Sequence, residues 1–151
     1  MKLKQRQIFN NQHSIFNTQV FTIMPEKIFD LEDRLVEFSC RVIDVVEALP
    51  NTRAGNYIAG QLIRCGLAPA LLYGEAQSAE SRMDFVHKMK IVLKELKETR
   101  VCLKIISKAE LIKPVDKLNN IKSETEQLIS IIAKSIDTAK KSVMPLKKLE
   151  N

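Results

Sequence analysis

The sequence predicts an all-α protein, an antiparallel up-down-up-down four-helix bundle. Three observations carry that expectation. Apolar residues recur at three- and four-residue steps through four long segments, the spacing that lines one face of a helix. Short breaks separate the segments, at Pro50-Asn51-Thr52, near Ser78 and at Ile112-Lys113-Pro114. Four Gly, five Pro and 5% aromatics in 151 residues are too few turn formers and rings for a sandwich or barrel. A chain of this length forms one core and buries about 70% of its unfolded surface.

The elements follow in order. Met1 to Ile23 is polar, rich in Asn and Gln, opens with Lys2, Lys4 and Arg6, and keeps no period, so residues 1–23 read as a flexible arm. The bundle is assigned to 24–144. After Met24-Pro25, Leu31, Leu35, Phe38, Val42, Val45 and Leu49 form the stripe of helix one. Asp30, Glu32 and Asp33 suit the positive end of its dipole. A second helix is expected from about Arg53 to Ser78. A third runs from about Glu80 to Leu111, with Phe85, Met89, Val92, Leu96, Thr99, Leu103 and Ile106 on one face. The fourth, from about Val115 to Ser142, carries Leu118, Ile121, Thr125, Leu128, Ile132 and Ile136. Pro145 closes it, leaving 145–151 as a tail. Short connections between long amphipathic segments give antiparallel neighbours.

No run of about 18 apolar residues is present, and the N-terminus lacks the apolar centre of a secretory signal. A soluble, cytoplasmic protein without a membrane partner is expected. Cys40, Cys65 and Cys102 are far apart and lie within apolar helical patterns, so they read as buried thiols rather than metal ligands. His13 and His87 have no second ligand or nucleophile at a useful spacing. No phosphate-cradling Gly loop, HExxH or Ser elbow occurs, so no catalytic residue, cofactor or metal is expected and the chain reads as a non-enzyme. Glu75 and Glu95 could face one another between helices two and three, but the Glu-x-x-His pattern of di-iron bundles is missing. Arg64 paired with Glu75 or Glu95 accounts better for all three, as an ion pair that fixes register or subunit contacts.

The stretch QLIRCGLAPALLYGEA, Gln61 to Ala76, is the least ordinary part of the chain. Pro69 removes one helical hydrogen bond and costs about 3 kcal/mol, and Gly66 and Gly74 cost about 1 kcal/mol each relative to Ala. A bend near Cys65 to Pro69 is expected. Ala59, Gly60, Gly66, Ala68, Ala70 and Ala76 keep this helix small-sided, which permits close approach either of another helix of the bundle or of a neighbouring subunit. Tyr57 and Tyr73 lie on the same helix.

Charge is unevenly placed. The formal net charge is +6 and the pI about 9.3, which permits attraction to polyanions without requiring it. Helix one sets Asp30, Glu32, Asp33, Glu37, Asp44 and Glu47 against only Arg34 and Arg41, whereas helix three is rich in Lys and Arg. At about 100° per residue, Lys90, Lys94, Lys97, Lys104 and Lys108 fall within roughly 80° of one another, opposite the Phe85-to-Ile106 face. Such a stripe could run along phosphates, or be an ordinary solvated face diluted by Glu95 and Glu98. With few aromatics to stack on bases, sequence-specific reading is not expected.

The segment QLIRCGLAPALLYGEAQSAESRMDFVHKMKIVLKELKETRVCLKII, Gln61 to Ile106, resembles the central helices of the bacterial four-helix-bundle proteins, also called 23S rRNA intervening-sequence proteins. Gln61, Leu62, Arg64, Gly66, Tyr73, Glu75 and Ala76 match the family's second helix. Ser81, Phe85, Lys88, Ile91 through Leu96, Glu98, Thr99 and Leu103 match its third. The resemblance implies a left-handed antiparallel bundle, a homo-oligomer that is often a ring of five, and no established enzymatic activity. A related branch, the accessory variability protein of diversity-generating retroelements, is thought to bind nucleic acid and a reverse transcriptase. The resemblance therefore implies RNA or DNA association, with Lys90, Lys94, Lys97, Lys104, Lys108 and Arg64 as candidate contacts. Gly66, Ala70, Tyr73, Glu75 and Glu95 are candidates for an oligomer interface or for register. Departures occur at Pro69, Leu72, Gly74 and Ser78, and three of these remove polar or basic groups common in the family. Two functions remain open: a nucleic-acid-associated bundle, or a structural, protein-interaction module that binds no nucleic acid.

Overall fold

The computed structural model describes residues 30–141, and over that range all regular structure is helical. The expected arm at 1–23 and tail at 145–151 lie outside the described residues. Four helices form the bundle: α1 (Leu31–Glu47), α2 (Arg53–Gln77), α3 (Arg82–Lys108) and α4 (Asn119–Lys141). A 3₁₀ turn, Val115–Leu118, leads into α4.

Local chemistry sets the helix ends. The Thr52 hydroxyl accepts a hydrogen bond from the Gly55 N–H at 3.0 Å and caps α2. Such a cap stabilises by about 1 kcal/mol. Gly55 is dictated by space, since a Cβ there would lie 2.0 Å from the Pro50 carbonyl oxygen. Ser81 caps α3 in the same way, accepting from the Asp84 N–H at 3.1 Å, while Asp84 reaches back to the Glu80 N–H at 3.3 Å. That reciprocity resembles a capping box. The third helix stops at Lys108, before the expected Leu111, because Glu110 takes a left-handed φ of 50°. The Leu111 N–H then closes the end by bonding to the Ile106 carbonyl at 3.1 Å, as in a Schellman motif.

The expected apolar stripes form the core. Leu35, Phe38 and Val42 of α1, Leu62 and Cys65 of α2, Met89 to Ile106 along α3, and Leu128, Ile132 and Ile136 of α4 are buried. Each large apolar side chain so buried contributes about 1.5–3 kcal/mol, an upper bound because the unfolded chain also buries surface. Thr99 and Thr125 are fully buried within these stripes. Each donates its hydroxyl to the carbonyl four residues back, at 2.9 Å and 2.6 Å, so neither oxygen is left without a partner. The pattern loosens at helix ends: Val45, Leu49 and Phe85 are half-buried, and Val86 takes the core position expected of Phe85.

Cross-helix polar pairs give the arrangement. Arg64 of α2 meets Glu95 and Glu98 of α3, and Lys122 and Glu126 of α4 meet Ser107 and Arg100 of α3, so α2, α3 and α4 run antiparallel in succession. The first helix meets both α2 and α4. Val42 lies against Gly66, and Arg34 forks onto Glu124 at 2.5 Å and 3.0 Å. The helix α2 runs on through Pro69, which is buried.

One assignment is corrected. Cys65 and Cys102 are buried, but Cys40 is exposed. It lies off the Leu35–Phe38–Val42 stripe, on the outer face of α1 with Val36 and Ile43.

Candidate functional site

The lysines of α3 stand where the helical period puts them, on its exposed side. They are not equivalent. Lys94 lies 3.4 Å from Glu95 and 3.5 Å from Glu98, and Arg64 lies 3.3 Å from Glu95 and 2.7 Å from Glu98. These four residues form one neutralised cluster bridging α2 and α3. Its electrostatics agree with its geometry: the hydrogen bond from Arg64 holds the Glu98 carboxyl below the usual range, and the same bond raises Arg64. The hydrogen bond to Glu95, followed by attraction to Glu98, raises Lys94. Lys90, Lys97, Lys104 and Lys108 make no ion pair among the described residues.

Two residues that the lysine pattern had passed over share this face. Taking Lys90 as zero on a helical wheel of about 100° per residue, Val101 falls near 20°, inside the arc of lysines, and Ile105 near 60°, just past the edge of that arc at Lys94. Val101 is 51% exposed and Ile105 47%. The same arithmetic that found the lysines could have found them, had apolar residues on the polar face been counted. With Tyr57 and Ile58 of α2 they floor a groove of about 750 Å³ between α2 and α3, and Lys90 and Lys97 line it too. The site is thus a lysine-rimmed apolar groove.

The other candidates separate. Gly66 is buried against Val42, so it sets the approach of two helices within the bundle rather than an outward face. Glu95 is only 6% exposed and pairs with Arg64, as one of the two alternatives required. Glu75 is exposed and joins neither of them. It lies eleven residues beyond Arg64, about 16 Å along the helix, which is past the reach of that side chain. Tyr73 accepts a hydrogen bond from Gln77, and Ala70 is half-buried. Among the described residues no group of three or more His, Cys, Asp and Glu side chains could hold a metal ion.

The thiols of Cys65 and Cys102 meet between α2 and α3. The Cys102 thiol beside it lowers Cys65 from the usual thiol range, while the same contact, with burial, pushes the Cys102 thiol up.

No functionally curated protein matches the chain. A solved structure does: a protein of unknown function from the S23 ribosomal protein family of Bacteroides thetaiotaomicron VPI-5482, with 27% identity and a TM-score of 0.65. The match covers 70% of this chain and 96% of that one. The family model described as 23S rRNA-intervening sequence protein matches residues 30–134, which spans all of α1, α2 and α3 and most of α4. The chain therefore belongs to the 23S rRNA-intervening sequence protein family.

Proposed function

We propose that the protein is a non-enzymatic docking module whose groove between α2 and α3 receives an acidic, partly apolar protein surface. The observation that supports this most directly is the exposure of Val101 within the row of lysines and of Ile105 at its edge. A surface built to follow phosphates would lose hydration around these side chains without gaining an apolar contact. A protein surface returns both, covering the apolar floor and pairing the lysine rim. A labelled acidic amphipathic helical peptide provides the test by fluorescence anisotropy. Val101→Asp/Ile105→Asp should weaken its binding at least tenfold. Unchanged binding would remove the groove from the reading.

A second reading, nucleic-acid association, rests on a different observation. Lys90, Lys97, Lys104 and Lys108 are exposed and make no ion pair among the described residues, and the family description refers to ribosomal RNA. Phosphate contacts of this kind give affinity that falls steeply with salt. Labelled structured RNA, single-stranded DNA and duplex DNA, titrated over about 50–200 mM salt, would bind with a steep slope that Lys→Glu at these four positions removes. Under the docking reading, nucleic acid binds weakly and the uncharged change Val101→Ala leaves that binding unchanged.

A further inference from the structure

We propose that Cys65 and Cys102 are an oxidisable dithiol, which a peroxide converts to a disulfide joining α2 to α3 beside the groove. The inference goes beyond the docking reading, because it rests on the two sulfurs and not on what the groove receives.

Packing builds the pair. Cys65 of α2 is fully buried, and its thiol leans back to the Leu62 carbonyl at 3.7 Å. Thr99 and Cys102 are three residues apart, so they share one face of α3, and both stand within hydrogen-bonding reach of the Cys65 sulfur. Thr99 is itself fully buried. The α2 sulfur therefore seats in a notch of α3 with Cys102 as one wall. A buried thiol packs as a small apolar side chain does, but two in contact on different helices can also be joined covalently. Cys40, exposed on the outer face of α1, does not compete for either sulfur.

Access comes from the groove. Cys102 is 8% exposed and lines the groove with Val101 and Ile105, so a small oxidant entering there meets the pair from the Cys102 side. The thiolate of the pair attacks one peroxide oxygen: an S–O bond forms, the O–O bond breaks, and hydroxide leaves behind a sulfenic acid. The second sulfur then gives up its proton and attacks the first, forming the S–S bond as the S–O bond breaks and a second hydroxide leaves. With the two thiol protons, both hydroxides become water. Two thiols have lost two electrons and one peroxide has been reduced.

The bond closes a loop that contains the turn between α2 and α3, which removes freedom from the unfolded chain and stabilises the fold. Reduced, the two helices can part locally; oxidised, they are held together at the groove. The state of the pair thus sets how firmly the two walls of the groove stand.

The test uses the full chain carrying Cys40→Ser, a change at an exposed position that leaves only the pair to react. It is treated with hydrogen peroxide at a dose that oxidises Cys40 of the wild type, then unfolded and alkylated with iodoacetamide. Peptide mapping should join Cys65 to Cys102 within one chain, with neither sulfur alkylated, and dithiothreitol should restore two alkylatable thiols. The oxidised chain should melt about 5 °C or more above the reduced one. Cys102→Ala in the same background should show no such rise. Two alkylatable thiols after peroxide, oxygen added to either cysteine sulfur without a link, or a link that leaves the midpoint unchanged or lower would each overturn the proposal.

Discussion

Val42 of α1 occupies the space that a side chain on Gly66 of α2 would need. A Cβ at Gly66 would lie 2.6 Å from Val42 Cγ1 and 2.9 Å from Cγ2. Valine is branched at Cβ and stiff at χ1, so neither methyl can swing clear without moving a backbone. Gly66→Ala should cost about 1–3 kcal/mol in overpacking, against about 1 kcal/mol gained in helix propensity. A net loss of roughly 1 kcal/mol lowers the thermal midpoint by about 2–4 °C. In the Val42→Ala background the same substitution should become neutral or favourable. A double-mutant cycle that is additive would show that the two residues do not compete for one space.

Gly60 and Gly74 sit in the same helix with nothing within 4 Å of a built Cβ. Neither has a packing reason to be glycine inside the chain. Gly60→Ala and Gly74→Ala should each stabilise by up to about 1 kcal/mol through the unfolded state and helix propensity. Denaturant midpoints are the measurement, and a loss of stability at either site would reveal a contact not evident in the isolated chain.

These glycines show what could be read from the chain and what could not. The helices and their core stripes follow from spacing, because a 3.6-residue period fixes which side chains share a face, whereas spacing left Arg64 to pair with Glu75 or Glu95 and only the register of α2 on α3 selects Glu95. Which small residue of α2 meets another helix does not follow, since Gly60, Gly66 and Gly74 look alike until the crossing point of α1 is known. Cys40 was placed inside for a related reason: an apolar residue between Phe38 and Val42 suits the core by composition, and only its angle puts it outside. Val101 and Ile105 were passed over because the lysines around them made that face look uniformly polar.

Arg64 holds Glu95 and Glu98 together, and removing it should be felt mainly at Glu95, which is nearly buried and would keep only Lys94 at 3.4 Å. Arg64→Ala is expected to lower the thermal midpoint, because the nearly buried Glu95 loses a partner. The pH dependence has a definite sign. Arg64, through its hydrogen bond, depresses the Glu98 carboxyl, so this contribution is fully present above the ordinary carboxylate pKa of about 4.3. It is lost as pH falls through the lower value of the folded state, where the unfolded chain already binds the proton. Asp84, depressed chiefly by its hydrogen bond from Lys88, adds in the same direction. Glu98→Gln should flatten the acid limb of a plot of midpoint against pH. An unchanged limb would mean that other carboxylates carry it.

The three thiols should differ in reactivity in an order that separates burial from acidity. If thiolate character decided, Cys65 would react first, since the neighbouring Cys102 thiol lowers it from the usual thiol range. Cys65 is fully buried, however, and Cys102 nearly so, whereas Cys40 is exposed. A reagent must touch sulfur before acidity matters, so Cys65 and Cys102 should wait for the α2–α3 pair to open. Iodoacetamide followed by mass spectrometry should therefore find one fast thiol per native chain, at Cys40, and three in denaturant. Two fast thiols would show that α2 and α3 separate readily.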